Sequence, residues 1–263
     1  MGKVAVVTGG SSGIGRAAAE HLVGHGCTVY EFSRTGEDFG AVHHIGTDVT
    51  DETSVCAAVE QVIAREGRID ILLNNAGFGI SGAAEFTPVE EAKRQLECNF
   101  WGMVRVTRAV LPHMRAQGGG RIVNTSSVAA LTPIPFQAYY SVSKAAVNSF
   151  TMSLANEVRP FGISVCAVMP GDTRTGFTDA RLRRFDGDDI YRGRIARSVS
   201  KMEADERGGC SPEKVGKALS RAALSRKCPV LITVGAPYKC VWALMRLLPS
   251  SAANRILGML YAR

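Results

Sequence analysis

The stretch "KVAVVTGGSSGIGRAAAEHLVGHG", residues 3–26, constrains the chain most. An apolar, β-branched run (3–8) ends in a glycine turn, and the turn opens an alanine-rich helix. The glycines fall at Gly9, Gly13 and Gly15, a Gly-x-x-x-Gly-x-Gly spacing. Glycine permits a tight turn and a close approach of backbone to another molecule. The free N–H groups of a helix start receive an anion. A strand, a glycine turn and a helix in that order predict a nucleotide diphosphate at the turn, with Ser11, Ser12 and Ile14 beside it.

The alternation continues along the chain. Strand-like runs are "TVYEFS" (28–33), a short one within "VHHIGTDV" (42–49), "IDILLNNAG" (69–77), "GRIVNTSS" (120–127), "GISVCAVMPG" (162–171) and "PVLITVG" (229–235). Helical patterns fill 51–67, 88–115, 139–159 and 212–224, the second reading as one long helix with Pro88 near its start. Strands that are apolar almost throughout, separated by helices, predict a parallel sheet covered on both faces. With right-handed crossovers this is an α/β fold: a doubly wound Rossmann-type sheet forming a single domain over 1–263. A chain of 263 residues, 46% hydrophobic, can bury one such core. The least patterned region, 172–212, reads as a solvated excursion or as a lid over the carboxyl end of the sheet.

The stretch "AYYSVSK" (138–144) holds two tyrosines and a lysine. On a helix, Tyr140 and Lys144 share a face one turn apart, whereas Tyr139 is spaced from Ser143. An ammonium beside a phenol lowers its pKa and makes it a usable acid or base. On its own, the same pair also suits an ordinary exposed helix face.

Five motifs in register decide between these readings, and the chain resembles the short-chain dehydrogenase/reductase family over about residues 3–235. The glycine turn matches Thr-Gly-x-x-x-Gly-x-Gly, and "NNAG" (74–77) matches the motif after the fourth strand. Pro170, Gly171 and Thr175 match Pro-Gly-x-x-x-Thr. Asn99 lies 25 residues after Asn74, and Ser127 lies 13 residues before Tyr140. The resemblance implies a catalytic set of Asn99, Ser127, Tyr140 and Lys144. Tyr140 is the acid/base, Ser127 holds the carbonyl oxygen, Lys144 binds the nicotinamide ribose, and Asn99 holds a water that passes protons to Lys144. It also implies that Asp48 and Val49 contact adenine and that Asn75, Ala76 and Gly77 line the nucleotide. Pro170, Gly171, Thr173 and Thr175 position the nicotinamide end. Ser126 is a decoy by register.

The second strand ends at Ser33, followed by Arg34. An acid there would accept the ribose 2′-OH and repel a 2′-phosphate, whereas Arg suits a phosphate. NADP(H) is therefore expected over NAD(H), with Glu31 a rival two residues earlier. The segment from Arg34 to Asp48 is short for the family, so a helix is expected to be missing there. The end of the chain resembles the branch containing hydroxysteroid and retinol dehydrogenases. It implies a bulky lipophilic alcohol or ketone, with Phe136, Met169, Phe177, Phe185 and Tyr191 as pocket candidates. A ketoreductase of acyl or small polar carbonyl compounds is the second reading, and a non-catalytic NADP sensor the third. Family members pair through the helices at 88–115 and 139–159, so a homodimer or homotetramer is expected.

Seven cysteines and five histidines show no metal-binding spacing, so free thiols, mostly buried, and no metal are expected. No signal peptide, myristoylation start, membrane span or nucleic-acid partner is indicated, which suggests a cytoplasmic protein. The net charge of +7 is uneven: residues 213–263 carry nine basic side chains and one acidic. The tail 238–263 combines Trp242, Leu244, Met245, Leu247, Leu248, Ile256, Leu257, Met259, Leu260 and Tyr261 with Lys239, Arg246, Arg255 and Arg263. Pro249 divides it into two short helices, suited to an interfacial membrane contact or to packing over the pocket or a subunit.

Overall fold

A computed structural model describes residues 2–262; Arg263 and the side chains of Val241, Trp242, Met245 and Arg246 lie outside the described set. The first half runs β1 (Val4–Thr8), α1 (Gly13–Val23), β2 (Thr28–Ser33), β3 (Val42–Gly46), α2 (Glu52–Glu66), β4 (Ile71–Asn74), β5 (Ile80–Ser81), α3 (Val89–Leu96) and α4 (Met103–Ala116). The second runs β6 (Gly120–Thr125), α5 (Ala138–Glu157), β7 (Ile163–Pro170), α6 (Phe177–Ala180), β8 (Leu182–Arg183), α7 (Arg194–Arg207), α8 (Pro212–Leu224), β9 (Leu231–Val234), α9 (Ala236–Leu247) and α10 (Ser250–Tyr261).

Among the described residues, seven strands form one sheet in the order β3-β2-β1-β4-β6-β7-β9, every neighbouring pair parallel. The alternation of side chains along each strand divides the core in two. Val4, Val6, Phe32, Leu72 and Ile122 pack on one face with α2, α4 and α5. Ala5, Val7, Val29, Ile71 and Leu73 pack on the other, under α1 and α8. Both faces are covered, which is why these strands read as apolar throughout rather than alternating. The fold predicted from the sequence is the fold observed.

Local chemistry sets the element ends. Asp51 caps α2, its side chain accepting from Thr53 N at 2.9 Å, and Gly67 ends that helix with φ 72°. No helix forms between Ser33 and Val42, as expected; Asp38 Oδ1 instead accepts His44 N at 2.7 Å.

The single helix expected over 88–115 is corrected. It is interrupted by a π-helical stretch, Glu97–Gly102, with Asn99 inside it. Widened turns of this kind redirect a side chain and free backbone groups. The region 172–212 is more ordered than its sequence suggests, containing α6, β8 and α7. The tail does form two helices split at Pro249, the first beginning earlier, at Ala236. The cysteines are free, but Cys56 and Cys240 are exposed rather than buried, and only Cys27 and Cys166 are fully buried.

The closest helix contact on the sheet is α1 against α8. A side chain at Gly216 would come within 2.7 Å of the Ala17–Ala18 backbone, and Ser220 Oγ donates to Ala18 O at 3.0 Å. Gly216→Ala gains helix propensity of about 1 kcal/mol, but overpacking costs about 1–3 kcal/mol. The expected net result is destabilisation. Urea unfolding that shows an unchanged or raised midpoint would contradict this packing.

Candidate active site

The carboxyl ends of β1, β4, β6 and β7 converge on two adjoining cavities of about 370 and 660 Å³. Their shared wall is Gly9, Ala76, Gly77, Phe78 and Ala180. Asn75 ties three strand ends together. Its Nδ2 donates to Gly9 O at 3.2 Å, and its Oδ1 accepts Thr125 Oγ1 at 3.3 Å. Thr8 Oγ1 accepts from the backbone N–H groups of Asn75 and Ala76 at 2.9 and 3.1 Å.

The glycine turn is built as its spacing requires. Gly9 and Gly13 sit at φ 63° and 55°. A Cβ at Gly15 would lie 2.1 Å from Gly9 O. Ser12 starts α1 without a side-chain capping bond, and Ser11, Ser12, Gly13 and Ile14 face the smaller cavity. The helix start is thus open to an anion, and the residues fit a dinucleotide diphosphate. Asn75, Pro170, Gly171, Thr173 and Thr175 line the same cavity. Ser33, Arg34, Asp48 and Val49 line the larger one, which suits an adenosine end. Gly15 and Asn99 line neither; they act from behind the walls.

Glu31 lies outside the lining of both cavities. It is fully buried and bonded to His44 Nδ1, and Ser33 Oγ donates to its Oε1 at 3.1 Å. Arg34 is exposed at the cavity rim.

Tyr140, Lys144 and Ser127 meet at the smaller cavity. Tyr139 points elsewhere, its hydroxyl donating to Ala84 O at 3.2 Å. Ser126 is buried and donates to Lys144 O, while Ser127 hydrogen-bonds the Tyr140 phenol. Lys144 Nζ lies 5.6 Å from the Tyr140 ring centroid and donates to Thr125 O at 2.9 Å.

Electrostatics correct one expectation: the lysine does not lower the phenol here. Burial dominates and pushes Tyr140 up to about 12, against the pull of the Ser127 hydrogen bond and the Arg181 charge. Burial also pulls Lys144 down to about 8. Asn99 differs too. Its side chain is engaged with the protein: Oδ1 accepts Phe78 N, and Nδ2 donates to Phe78 O and Ser143 Oγ at 2.9 and 3.2 Å.

Of the apolar candidates, only Phe177 faces the smaller cavity, its ring 5.7 Å from that of Tyr140. Phe136 and Tyr191 pack on each other over the Ala83, Ile195, Val199 and Met202 cluster. Met169 is buried and Phe185 is 48% exposed. Phe78, Val128, Ala129 and Ile134 form the rest of the apolar wall.

Several site residues escaped the sequence reading. Asn124 receives a hydrogen bond from Asn74 Nδ2 at 2.9 Å and donates to Thr151 Oγ1 at 2.8 Å, forming a buried polar chain behind the site. Asp172 and Glu206 line the catalytic cavity. Asp172 lies inside the Pro-Gly-x-x-x-Thr motif and was legible by position; Glu206, on α7, had no local signal.

Tyr140→Phe removes the phenol that lines the cavity beside Ser127 and is expected to abolish turnover while cofactor binding persists. Tyr139→Phe loses one exposed hydrogen bond and is expected to keep most activity. Equal losses in two variants of native circular dichroism would contradict this assignment.

Known proteins resemble this chain in sequence and fold. The family model for short chain dehydrogenases matches residues 3–184. A 3-ketodihydrosphingosine reductase of Bacteroides thetaiotaomicron is 40% identical over 264 residues, covering 99% of this chain and 98% of that protein. A short-chain dehydrogenase from Streptomyces avermitilis superposes with TM-score 0.85 at 33% identity, covering 97% of this chain and 95% of its own. A 3-ketoacyl-(acyl-carrier-protein) reductase from Brucella melitensis, complexed with NADH, gives TM-score 0.75 at 28% identity, covering 89% and 96%. With a glycine turn that fits a dinucleotide and a Ser-Tyr-Lys set at one cavity, the chain belongs to the short-chain dehydrogenase/reductase family, oxidoreductases of carbonyl and alcohol groups.

Proposed function

We propose that this protein is an NADP(H)-dependent reductase of a long-chain lipophilic ketone. The observation that carries the reading is a Ser127–Tyr140–Lys144 set opening onto an apolar wall, in a chain 40% identical to a 3-ketodihydrosphingosine reductase over nearly its full length. Of the steroid-like and lipid-like substrates expected from the chain end, the lipid-like one is supported by the relative's name. The Brucella relative's name supports a second reading, an acyl ketoreductase, at lower identity. The assembled catalytic set speaks against a non-catalytic sensor.

The diphosphate would rest on Gly9, Ser11, Ser12, Gly13 and Ile14 at the start of α1, with the adenosine end against Asp48, Val49, Ala76 and Gly77. Arg34 and Ser33 would take a 2′-phosphate, since both line the larger cavity whereas Glu31 is buried behind it with His44 on its Oε1. Bound there, the dinucleotide supplies the hydride. Ser127 donates a hydrogen bond to the substrate carbonyl oxygen and fixes it beside Tyr140. The Tyr140 hydroxyl then delivers its proton to that oxygen. A phenol held near 12 is fully protonated at neutral pH, which suits reduction. Lys144, near 8, still carries a proton there and would hold the ribose of a bound nicotinamide nucleotide beside Tyr140. The Asn99 side chain locks Phe78 in place, so a relay water would be held by its backbone carbonyl in the π-helical stretch.

Two surfaces complete the reading. Trp101, Val142 and Met152 are exposed apolar groups on the helical segments through which the family pairs. The tail is anchored on α7, where Tyr261 Oη donates to Asp205 at 3.2 Å and Leu257 is buried. Leu244, Leu247, Met259 and Leu260 nevertheless remain exposed within the basic segment. No helix of the described residues is long and apolar enough to cross a membrane. An anionic membrane surface is the occupant that apolar groups among cations fit.

NADPH oxidation against 3-ketodihydrosphingosine, acyl-ketones, steroids and sugars tests the function; turnover of only the polar ketones would overturn it. Arg34→Ala is expected to weaken NADPH about 10–100-fold, the worth of a hydrogen bond to a charged group, and leave NADH nearly unaffected. A wild type equally active with both cofactors would defeat that assignment.

Joint replacement Leu247→Glu and Leu260→Glu is expected to abolish flotation with phosphatidylserine vesicles at low salt while leaving the sedimentation coefficient unchanged. Trp101→Glu is expected to do the reverse. If wild-type protein fails to float, the membrane contact is wrong; if it sediments as a monomer, the pairing is wrong.

A further inference from the structure

The mechanism above leaves one charged group on the catalytic wall without a task. Asp172 follows Pro170 and Gly171 at the carboxyl end of β7 and lines the cavity with Tyr140 and Ser127. It is close enough that its charge contributes to raising the Tyr140 phenol. The start of α9 fixes its position. Asp172 N donates to Tyr238 Oη at 3.0 Å, and Tyr238 Oη donates to Asp172 Oδ2 at 2.5 Å. Gly171 makes room for this pair, because a Cβ there would come within 2.1 Å of the Tyr238 ring.

The other carboxylate on this wall, Glu206, is satisfied. It pairs with Arg181 and accepts from Thr178 Oγ1 at 2.6 Å. Asp172 has no such cation among the described residues; its side-chain partner there is the Tyr238 phenol. Burial, reinforced by the Asp205 and Glu206 charges, holds its carboxyl above the ordinary aspartate range. A half-buried carboxylate without a cation is costly. A ketone that is otherwise hydrocarbon would do nothing to offset that cost.

A 2-amino ketone would. Its nitrogen is bonded to the carbon next to the carbonyl. With the carbonyl oxygen between Ser127 and Tyr140, the ammonium sits two bonds from the carbonyl carbon, in the cavity that Asp172 also lines. We propose that Asp172, held by Tyr238, binds the ammonium of a long-chain 2-amino ketone and selects it over neutral ketones of the same length. This rests on the long-chain ketone reading above, since the ketone of dihydrosphingosine is such a compound, and adds the group that recognises the amine. It also makes the start of the C-terminal tail part of the substrate site.

The test uses the full-length protein with NADPH and two substrates in the same mixed micelles: 3-ketodihydrosphingosine and 1-hydroxyoctadecan-3-one, which lacks the amine. The wild type is expected to favour the amine by about 10–100-fold in kcat/KM, the range of a charge-assisted hydrogen bond. Asp172→Asn keeps the shape and an acceptor for Tyr238, and is expected to collapse the preference towards one through KM for the amine. Tyr238→Phe should reduce it in part. N-acetylation of the amine, which removes its charge, should abolish the preference in the wild-type protein and needs no variant to fold. Equal wild-type efficiency on both ketones overturns the amine proposal alone. A preference that survives Asp172→Asn or N-acetylation overturns it too, as does an Asp172→Asn loss equal on both substrates. Reduction of neither ketone overturns the long-chain reading and the proposal with it.

Discussion

The junction at Asn75 holds the site together. One side chain joins the ends of β1, β4 and β6, donating to Gly9 O and accepting from Thr125. It works only because the neighbouring backbone is bare. A Cβ at Gly15 would collide with Gly9 O at 2.1 Å and with Asn75 Nδ2 at 2.6 Å. The turn that presents α1 to an anion and the strand ends that present Ser127 are thus one hydrogen-bonded unit. Behind it, Asn74 donates to Thr107 and Asn124, and Asn124 donates to Thr151, while Asn74 Oδ1 stays buried without a partner among the described residues. A buried polar chain of this kind fixes strand register where apolar packing alone would tolerate adjustment.

Burial sets the chemistry of the cavity more than any single charge. Tyr140 and Lys144 are both pushed towards their neutral forms, the phenol up and the ammonium down. A neutral phenol is a ready proton donor, and an ammonium near 8 can both give and regain a proton close to neutrality. The carboxylates nearby are treated differently. Glu206 is neutralised by Arg181 from α6–β8, whereas Asp172 is left with a phenol from the tail. The segment after β7 and the C-terminal helices therefore set the charge around the smaller cavity, while the sheet sets the glycine turn beside it.

Most of the sheet and the geometry of the glycine turn were legible in the sequence. Buried parallel strands must be apolar on both faces, and a backbone that approaches a ligand or another strand must be glycine, so 4–8, 71–74, 163–170 and the turn at Gly9–Gly15 carry their roles in residue type and spacing. The register of Tyr140 against Lys144 and Ser127 was legible for the same reason, because helical periodicity and strand ends are local. Only the tertiary structure decided the rest. Asp172 and Tyr238 are 66 residues apart, and Thr178 meets Glu206 across 28; no local pattern encodes such pairs. The sign of the Tyr140 shift depended on how much of the protein surrounds it, and the aromatics at 136 and 191 went to a separate cluster because α7 folds over them. Spacing within one element is fixed by backbone geometry. Burial, and the contacts between distant segments, exist only once the chain has closed.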